Sequence, residues 1–204
     1  MKVDCTRIVD EALKLLNEVG IDALSTRLLA ERLEVRQPAL YWHFKSKRAL
    51  IEAMNAEILT RGHTRRWPEP GEDWQDFLIG NSRSFRRALL AFRDGGRVHA
   101  GTEGDPRDVA NVESHLRLLV DAGMSTERAI ELLVSLGRYA LGCVIEEQTE
   151  PPPERDALDK AAEAFPLVRE ALAHYRNNSQ EAFFETGLRT IVEGAALWLA
   201  PKPS

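Results

Sequence analysis

Long apolar runs are missing from this 204-residue chain. None approaches the roughly 18 residues that a membrane-spanning helix needs, and no signal-peptide-like stretch follows Met1. Cysteine is nearly absent. Cys5 and Cys143 stand far apart and in no metal-ligand spacing, which excludes a disulfide framework and predicts reduced thiols in a cytoplasmic protein. An excess of positive charge is missing too: 27 Lys and Arg face 32 Asp and Glu, for a net charge of −5. Strand-like alternation is absent, as are internal repeats. What remains is 44% hydrophobic residues, enough for a sizeable core.

Helical periodicity fills most of the chain. Ile8, Ala12, Leu15, Leu16 and Val19 form one stripe, closed by Gly20 as a C-cap. Short patterns follow over Thr26–Leu33 and Pro38–Phe44, and a longer one runs from Lys47 towards His63. Two prolines and a glycine between Thr64 and Gly71 stop it and mark a boundary. A helix is expected from Asp73–Trp74 to Phe92, and then a glycine-rich irregular segment over 94–104 holding at most a short turn of helix. Asp105–Pro106 reads as N-cap and first turn of the next helix. Gly123 stops that one, Ser125 opens another, Pro151–Pro153 break it, and a last helix covers about Gln180–Leu199. The chain reads as all-α.

Three short helices in the first 45 residues form a helix-turn-helix candidate. Its third helix opens with Gln37-Pro38, which places a glutamine at the end of a recognition helix that meets base edges. A Gln amide can bond adenine N6 and N7 together. Leu40 and Phe44 should point inward, and Tyr41 and His43 towards phosphates. From Val35 to Arg48 the ionised residues are Arg36, Lys45, Lys47 and Arg48, with no carboxylate, whereas acids gather at Glu146, Glu147, Glu150 and Glu154. A basic patch on an acidic body suits a small DNA contact. A plain helical hairpin explains an isolated short helix pair more simply. The conjunction of tri-helical unit, Gln-Pro opening, aromatic cluster and acid-free basic flank favours DNA recognition.

Thr26-Arg27, Gln37-Pro38-Ala39-Leu40-Tyr41-Trp42-His43 and Lys45-Ser46-Lys47-Arg48-Ala49-Leu50 closely resemble the N-terminal domain of the TetR family. Trp74-Gln75, Ser84-Phe85-Arg86-Arg87-Ala88-Leu89-Leu90, Arg93-Asp94-Gly95 and Val98-His99 extend the resemblance to its tetracycline-repressor branch. The resemblance weakens after about Glu150. It implies a homodimeric repressor of a double-stranded DNA operator, released by a small-molecule effector and without enzymatic activity. It also implies a DNA-binding domain over 1–45, a connecting helix over 46–63 and a ligand-binding and dimerisation domain over 64–204. Thr26, Arg27, Arg36, Gln37, Pro38, Ala39 and Tyr41 would lie at the reading end, and Trp42, His43 and Lys47 on phosphates. Glu34 stands at a turn position that is often glycine, where left-handed backbone would cost about 1 kcal/mol.

In the same way the resemblance implies an effector chamber in which His63, Asn81 and Phe85 hold the polar ring of the ligand. His99 would meet its Mg²⁺ directly, and Thr102 and the partner subunit's Glu146 would reach the ion through water. No cofactor is required; Mg²⁺ would arrive with a chelating effector, since it prefers oxygen ligands and retained waters. This chain departs from the branch at Glu103-Gly104, in a segment that moves on induction. It departs again at His115, in place of a ligand-contacting glutamine, and at Arg138 and Tyr139, which would alter the chamber lining. Two other readings stay open here. One is a transition-metal sensor using His63, His99 and His115, since imidazole suits such ions. The other is a helical-bundle metalloenzyme with Glu146 as general base, against which stands the absence of H-E-x-x-H or paired E-x-x-H spacing.

Phe184, Leu188, Ile191, Ala195 and Trp198 repeat at heptad-like spacing, with Gly187 and Gly194 beside them. Ile130, Leu133, Gly137, Leu141 and Val144 form a matching stripe. A monomer core explains either alone; together they read as a four-helix dimer face.

Overall fold

Short polar side chains open most of the helices. In the computed structural model, which describes residues 4–102, 106–150 and 155–199, Asp4 caps α1 (Cys5–Ala23) and Ser25 caps α2 (Thr26–Arg32). Arg36 precedes α3 (Gln37–His43) without a side-chain bond, and Ser46 caps α4 (Lys47–Gly62). Asp73 accepts from two N–H groups of α5 (Trp74–Leu90). There follow α6 (Gly95–Ala100), a 3₁₀ turn at Pro106–Asp108, and α7 (Val109–Asp121). Ser125 caps α8 (Thr126–Gln148), α9 spans Arg155–Ala162, α10 spans Pro166–Asn177, and Ser179 caps α11 (Gln180–Ala196). Each such cap satisfies an N–H that the helix itself cannot. Every element among the described residues is helical.

Two apolar cores share α5. The first joins Ile8, Leu13 and Leu16 of α1, Leu29 of α2, Leu40 of α3 and Met54 and Ile58 of α4 to Leu89, Val98 and Val144 of α5, α6 and α8. The second packs Trp74, Phe77 and Leu78 of α5 against Leu119 of α7, Leu132 and Leu136 of α8, and Phe184, Leu188 and Val192 of α11. Phe85 borders both. The side chain of Arg86, only 5% exposed, is bracketed by Glu147 and Glu181 and has the Phe184 ring 4.9 Å away.

The N-terminal head is fastened to the body at one corner. α1 breaks at Gly20 (φ 78°), a backbone that suits glycine. The N–H of half-buried Ile21 then donates to Asp94 Oδ2 at 2.9 Å. Arg93 donates its N–H to Asn17 Oδ1, and Arg97 of α6 donates to both Asp22 oxygens at 2.7 and 2.8 Å. The corner between α5 and α6 thus grips the C-terminal end of α1.

Several expectations are corrected here. The irregular segment contains a six-residue helix, α6. Asp105 lies outside the described residues, as does Pro151–Pro153, and after Pro106 the chain makes a 3₁₀ turn, so the α-helix starts only at Val109. α9 and α10, unassigned in the sequence, pack chiefly on each other. The two proposed dimer stripes divide: Phe184, Leu188, Ala195 and Val144 are buried in the protomer's own core, whereas Ile130, Gly137 and Trp198 stay exposed and Leu133, Leu141 and Ile191 are half-buried. Gly187 serves the same packing, since a Cβ there would strike the Tyr139 hydroxyl of α8. That hydroxyl donates to the carbonyls of Phe183 and Phe184, so Tyr139 is a structural brace rather than chamber lining, and Arg138 is exposed.

Candidate nucleic-acid interface and ligand chamber

The outer face of α3 carries polar and aromatic groups because only Leu40 and Phe44 are drawn inward. Leu40 is buried and Phe44 half-buried against the first core, as the spacing predicts. Trp42 is 82% exposed, and Arg36, Gln37, Pro38, Tyr41, His43 and Lys47 are exposed with it, whereas Ala39 is half-buried. Gln37 Nε2 donates to Thr26 Oγ1 at 2.8 Å, tying the starts of α2 and α3 together. Arg27 lies 3.6 Å from Glu31 along α2. His43 Nδ1 sits 3.5 Å from Cys5 Sγ. Glu34 takes φ 56° between α2 and α3, the left-handed turn expected of that position. The structure therefore groups all ten sequence-predicted DNA residues on the two helices and on the first turn of α4.

Behind the head lie two cavities. The larger, about 760 Å³, opens between α4 and the 3₁₀ turn, and among its lining residues are Glu52, Asn55, Arg66, Trp67, His99 and Thr102. The smaller, about 270 Å³, is lined by His63, Asn81, Phe85 and His115 with apolar side chains of α8. Phe85 meets His63 at 5.7 Å and His99 at 4.9 Å between ring centroids, edge-on to both. The expected single chamber is thus divided around one phenyl ring.

Backbone and side-chain bonds hold each imidazole. His63 Nδ1 lies 2.9 Å from the hydroxyl of fully buried Ser84, which also accepts the Arg65 N–H at 3.0 Å. Asn81 donates to the Arg65 carbonyl at 2.8 Å. His115 Nε2 donates to the Arg66 carbonyl at 2.6 Å, and its ring tilts against Phe77. His99 Nδ1 meets Asn55 Oδ1 at 3.0 Å, and Asn55 Nδ2 donates to Thr102 Oγ1 at 3.2 Å. Burial depresses all three histidines, because an imidazolium loses its hydration there. For His63 that desolvation, reinforced by Arg66 and the other two histidines, brings the pKa down to about 4. His99 is lowered by burial alone, and His115 by burial and Arg66 against an opposing bond to the Arg66 carbonyl. The chamber therefore offers neutral imidazoles, able to accept a hydrogen bond or ligate a cation.

Glu146 lines neither cavity; it is exposed on α8. The transition-metal reading fails on geometry. Phe85 stands between His63 and His99, the Arg66 carbonyl occupies His115 Nε2, and no three His, Cys, Asp or Glu side chains among the described residues converge as a metal site. Three contributors escaped the sequence: Ser84, Asn55 and the carbonyl of Arg66. Asn55 alone had a signal, a polar residue beside Met54 on the helix face that buries Met54 and Ile58.

Comparison with known proteins matches residues 8–54 to the bacterial regulatory proteins of the tetR family, and residues 67–197 to the tetracyclin repressor-like C-terminal domain. The class A tetracycline repressor of transposon 1721 from Escherichia coli is 45% identical over 96% of this chain and 91% of its own length. A variant of TetR from Acinetobacter baumannii AYE, solved in complex with minocycline, superposes with a TM-score of 0.81 at 39% identity, covering 98% of this chain and all of that one. Class A TetR in complex with 5a,6-anhydrotetracycline and magnesium gives 0.73 at 41% identity, over 93% and 95% of the two chains. With a DNA head in front and a ligand chamber behind, the chain belongs to the TetR family of bacterial regulatory proteins and is a DNA-binding transcriptional repressor homologous to the tetracycline repressors.

Proposed function

We propose that the protein represses transcription as a homodimer on a palindromic operator and leaves it when a magnesium-chelated, tetracycline-like ligand fills the chamber. The head over residues 1–45 reads DNA, 46–63 is the connecting helix, and 64–204 binds the ligand and the second protomer. One short recognition helix reads too few bases alone, so half-sites about 34–36 Å apart are expected. Thr26, Arg27, Arg36, Gln37, Pro38, Ala39 and Tyr41 meet bases or their edges. Trp42, His43 and Lys47 fix the head on phosphates.

The observation that carries this reading is the pair of half-buried, neutral imidazoles of His63 and His99, on either side of Phe85 and next to the two cavities. His63, Asn81, Phe85 and His115 fit a polar ring system with an apolar back. His99 and Thr102 supply one nitrogen and one hydroxyl. That donor set is incomplete for a hard cation that wants about six oxygen-rich positions. It fits Mg²⁺ only if the ligand brings its own oxygen pair and the remaining sites keep water, with Glu146 coming from the partner protomer. When bound, the ion supplies a positive centre that fixes an anionic oxygen pair against His99.

α4 joins the two sites. From Lys47 to His63 it spans about 25 Å at 1.5 Å per residue, with a phosphate contact at one end and a ligand contact at the other. A shift at His63 tilts the head and spoils the half-site spacing. Release then requires the ligand to prefer the tilted state, and a preference of about 1–3 kcal/mol changes DNA affinity roughly 5- to 150-fold. The decisive experiment titrates the operator complex with magnesium–tetracycline, comparing wild type with His99→Ala. Release is expected from wild type and sharply weakened in the variant; equal release from both would sink the chelation route.

A further inference from the structure

Asn55 is a buried amide on α4, on a helix face otherwise filled by Leu50, Met54 and Ile58. Packing alone would be served by an apolar side chain there. The amide instead closes a directional ring of hydrogen bonds. Thr102 Oγ1 gives its single proton to the His99 carbonyl at 2.8 Å, so towards Asn55 it can only accept. That fixes the Asn55 NH₂ on Thr102, at 3.2 Å, and leaves Oδ1 facing His99 Nδ1 at 3.0 Å. A carbonyl-type oxygen only accepts, so Nδ1 must carry the proton. His99 Nε2 then holds the lone pair, and it makes no hydrogen bond among the described residues while His99 lines the larger cavity.

We infer that Asn55 is a positioning residue: by accepting from Nδ1–H and donating to Thr102, it holds His99 in the one neutral tautomer whose Nε2 can take a ligand's cation or donor. The inference deepens the proposed chelate-binding role and rests on it for the identity of the ligand. It does not rest on it for the tautomer. Groups that orient a metal-facing histidine through its second nitrogen commonly change affinity ten- to hundred-fold when removed.

The test is long-range ¹⁵N–¹H correlation of the histidine rings in the full-length protein near pH 7.5, with His99→Gln used for assignment. Wild type should show His99 protonated at Nδ1. Asn55→Ala, which suits a helix, should shift it towards the Nε2–H form, and Asn55→Asp, which keeps the accepting oxygen, should restore Nδ1–H. The same His99 tautomer in wild type and Asn55→Ala would overturn the inference, as would Nε2–H in wild type. Fluorescence titration with magnesium–tetracycline supplies the second arm, where Asn55→Ala should bind about ten- to hundred-fold more weakly. Unchanged affinity despite a changed tautomer would overturn the positioning role. A wild type that binds no magnesium–tetracycline would defeat the chelate reading of the chamber, while the ring spectra still decide the role of Asn55.

Discussion

The head and the chamber use their side chains in opposite ways. In the head, the groups proposed to meet DNA are crowded into Thr26–Lys47 and, apart from half-buried Thr26 and Ala39, are exposed, while Leu29 and Leu40 behind them are buried. In the chamber, the groups proposed to meet the ligand are themselves half-buried or buried. They come from the end of α4, from α5, α6 and α7 and from the residue after Gly101, and each histidine among them is pinned by a bond from a distant part of the chain. A solvated face keeps its chemistry whatever lies behind it, whereas a buried polar group works only if its partners are in place. Chamber substitutions should therefore disturb stability and function together, and head substitutions should separate them.

The largest expected effect is in the chamber wall. Phe77 is fully buried and supports His115; Phe77→Ala should cost about 3–5 kcal/mol in urea unfolding. The operator preference of the folded fraction should stay as it was. Altered base preference in selection from a random DNA pool would break the separation between the two regions.

Next comes the titration of His63. Unfolded, it takes a proton near 6.5, but in the fold only near 4. Above 6.5 it is neutral in both states. As pH falls below 6.5 the unfolded chain takes up the proton first, so stability is lost progressively down to about pH 4, by on the order of 3 kcal/mol. His99 and His115 are shifted the same way and add to the trend. His63→Asn should flatten part of it, judged by urea midpoints at pH 8 and 4.5. A wild type no more acid-sensitive than the variant would remove the buried neutral imidazole.

In the head, Gln37→Ala should relax base preference and cost about 1–3 kcal/mol of operator binding with unfolding unchanged. Lys47→Ala should weaken all sequences alike and lower the salt slope by about 0.9. A Gln37→Ala protein with an unchanged preferred sequence would show that another residue does the reading. The smallest effect is at the turn: Glu34 occupies left-handed backbone, so Glu34→Gly should stabilise the head by about 1 kcal/mol at most. A destabilised variant would mean that the Glu34 side chain holds the turn.

Local chemistry made most of the helical order legible. Ser25, Ser46, Asp73 and Ser125 cap the helices that their positions announce. α9 and α10 went unread although both are amphipathic, and in the protomer nearly all of their described side chains stay exposed. The chamber residues were named through resemblance, not through spacing: nothing local distinguishes His99 from a packed histidine.

The sequence by itself determined the all-α class and the exposed outer face of α3, since caps and 3.6-residue periodicity act within a few residues of one another; the left-handed turn at Glu34 was expected through resemblance. Only the tertiary structure decided three other things. It split the heptad-like stripe, drawing Phe184, Leu188 and Ala195 into the protomer's own core and leaving Trp198 exposed. It divided the chamber around Phe85, and it closed the ring from Asn55 to His99 and Thr102, 44 and 47 residues away. Each depends on which faces meet across distant helices, and packing of buried groups has no local signature.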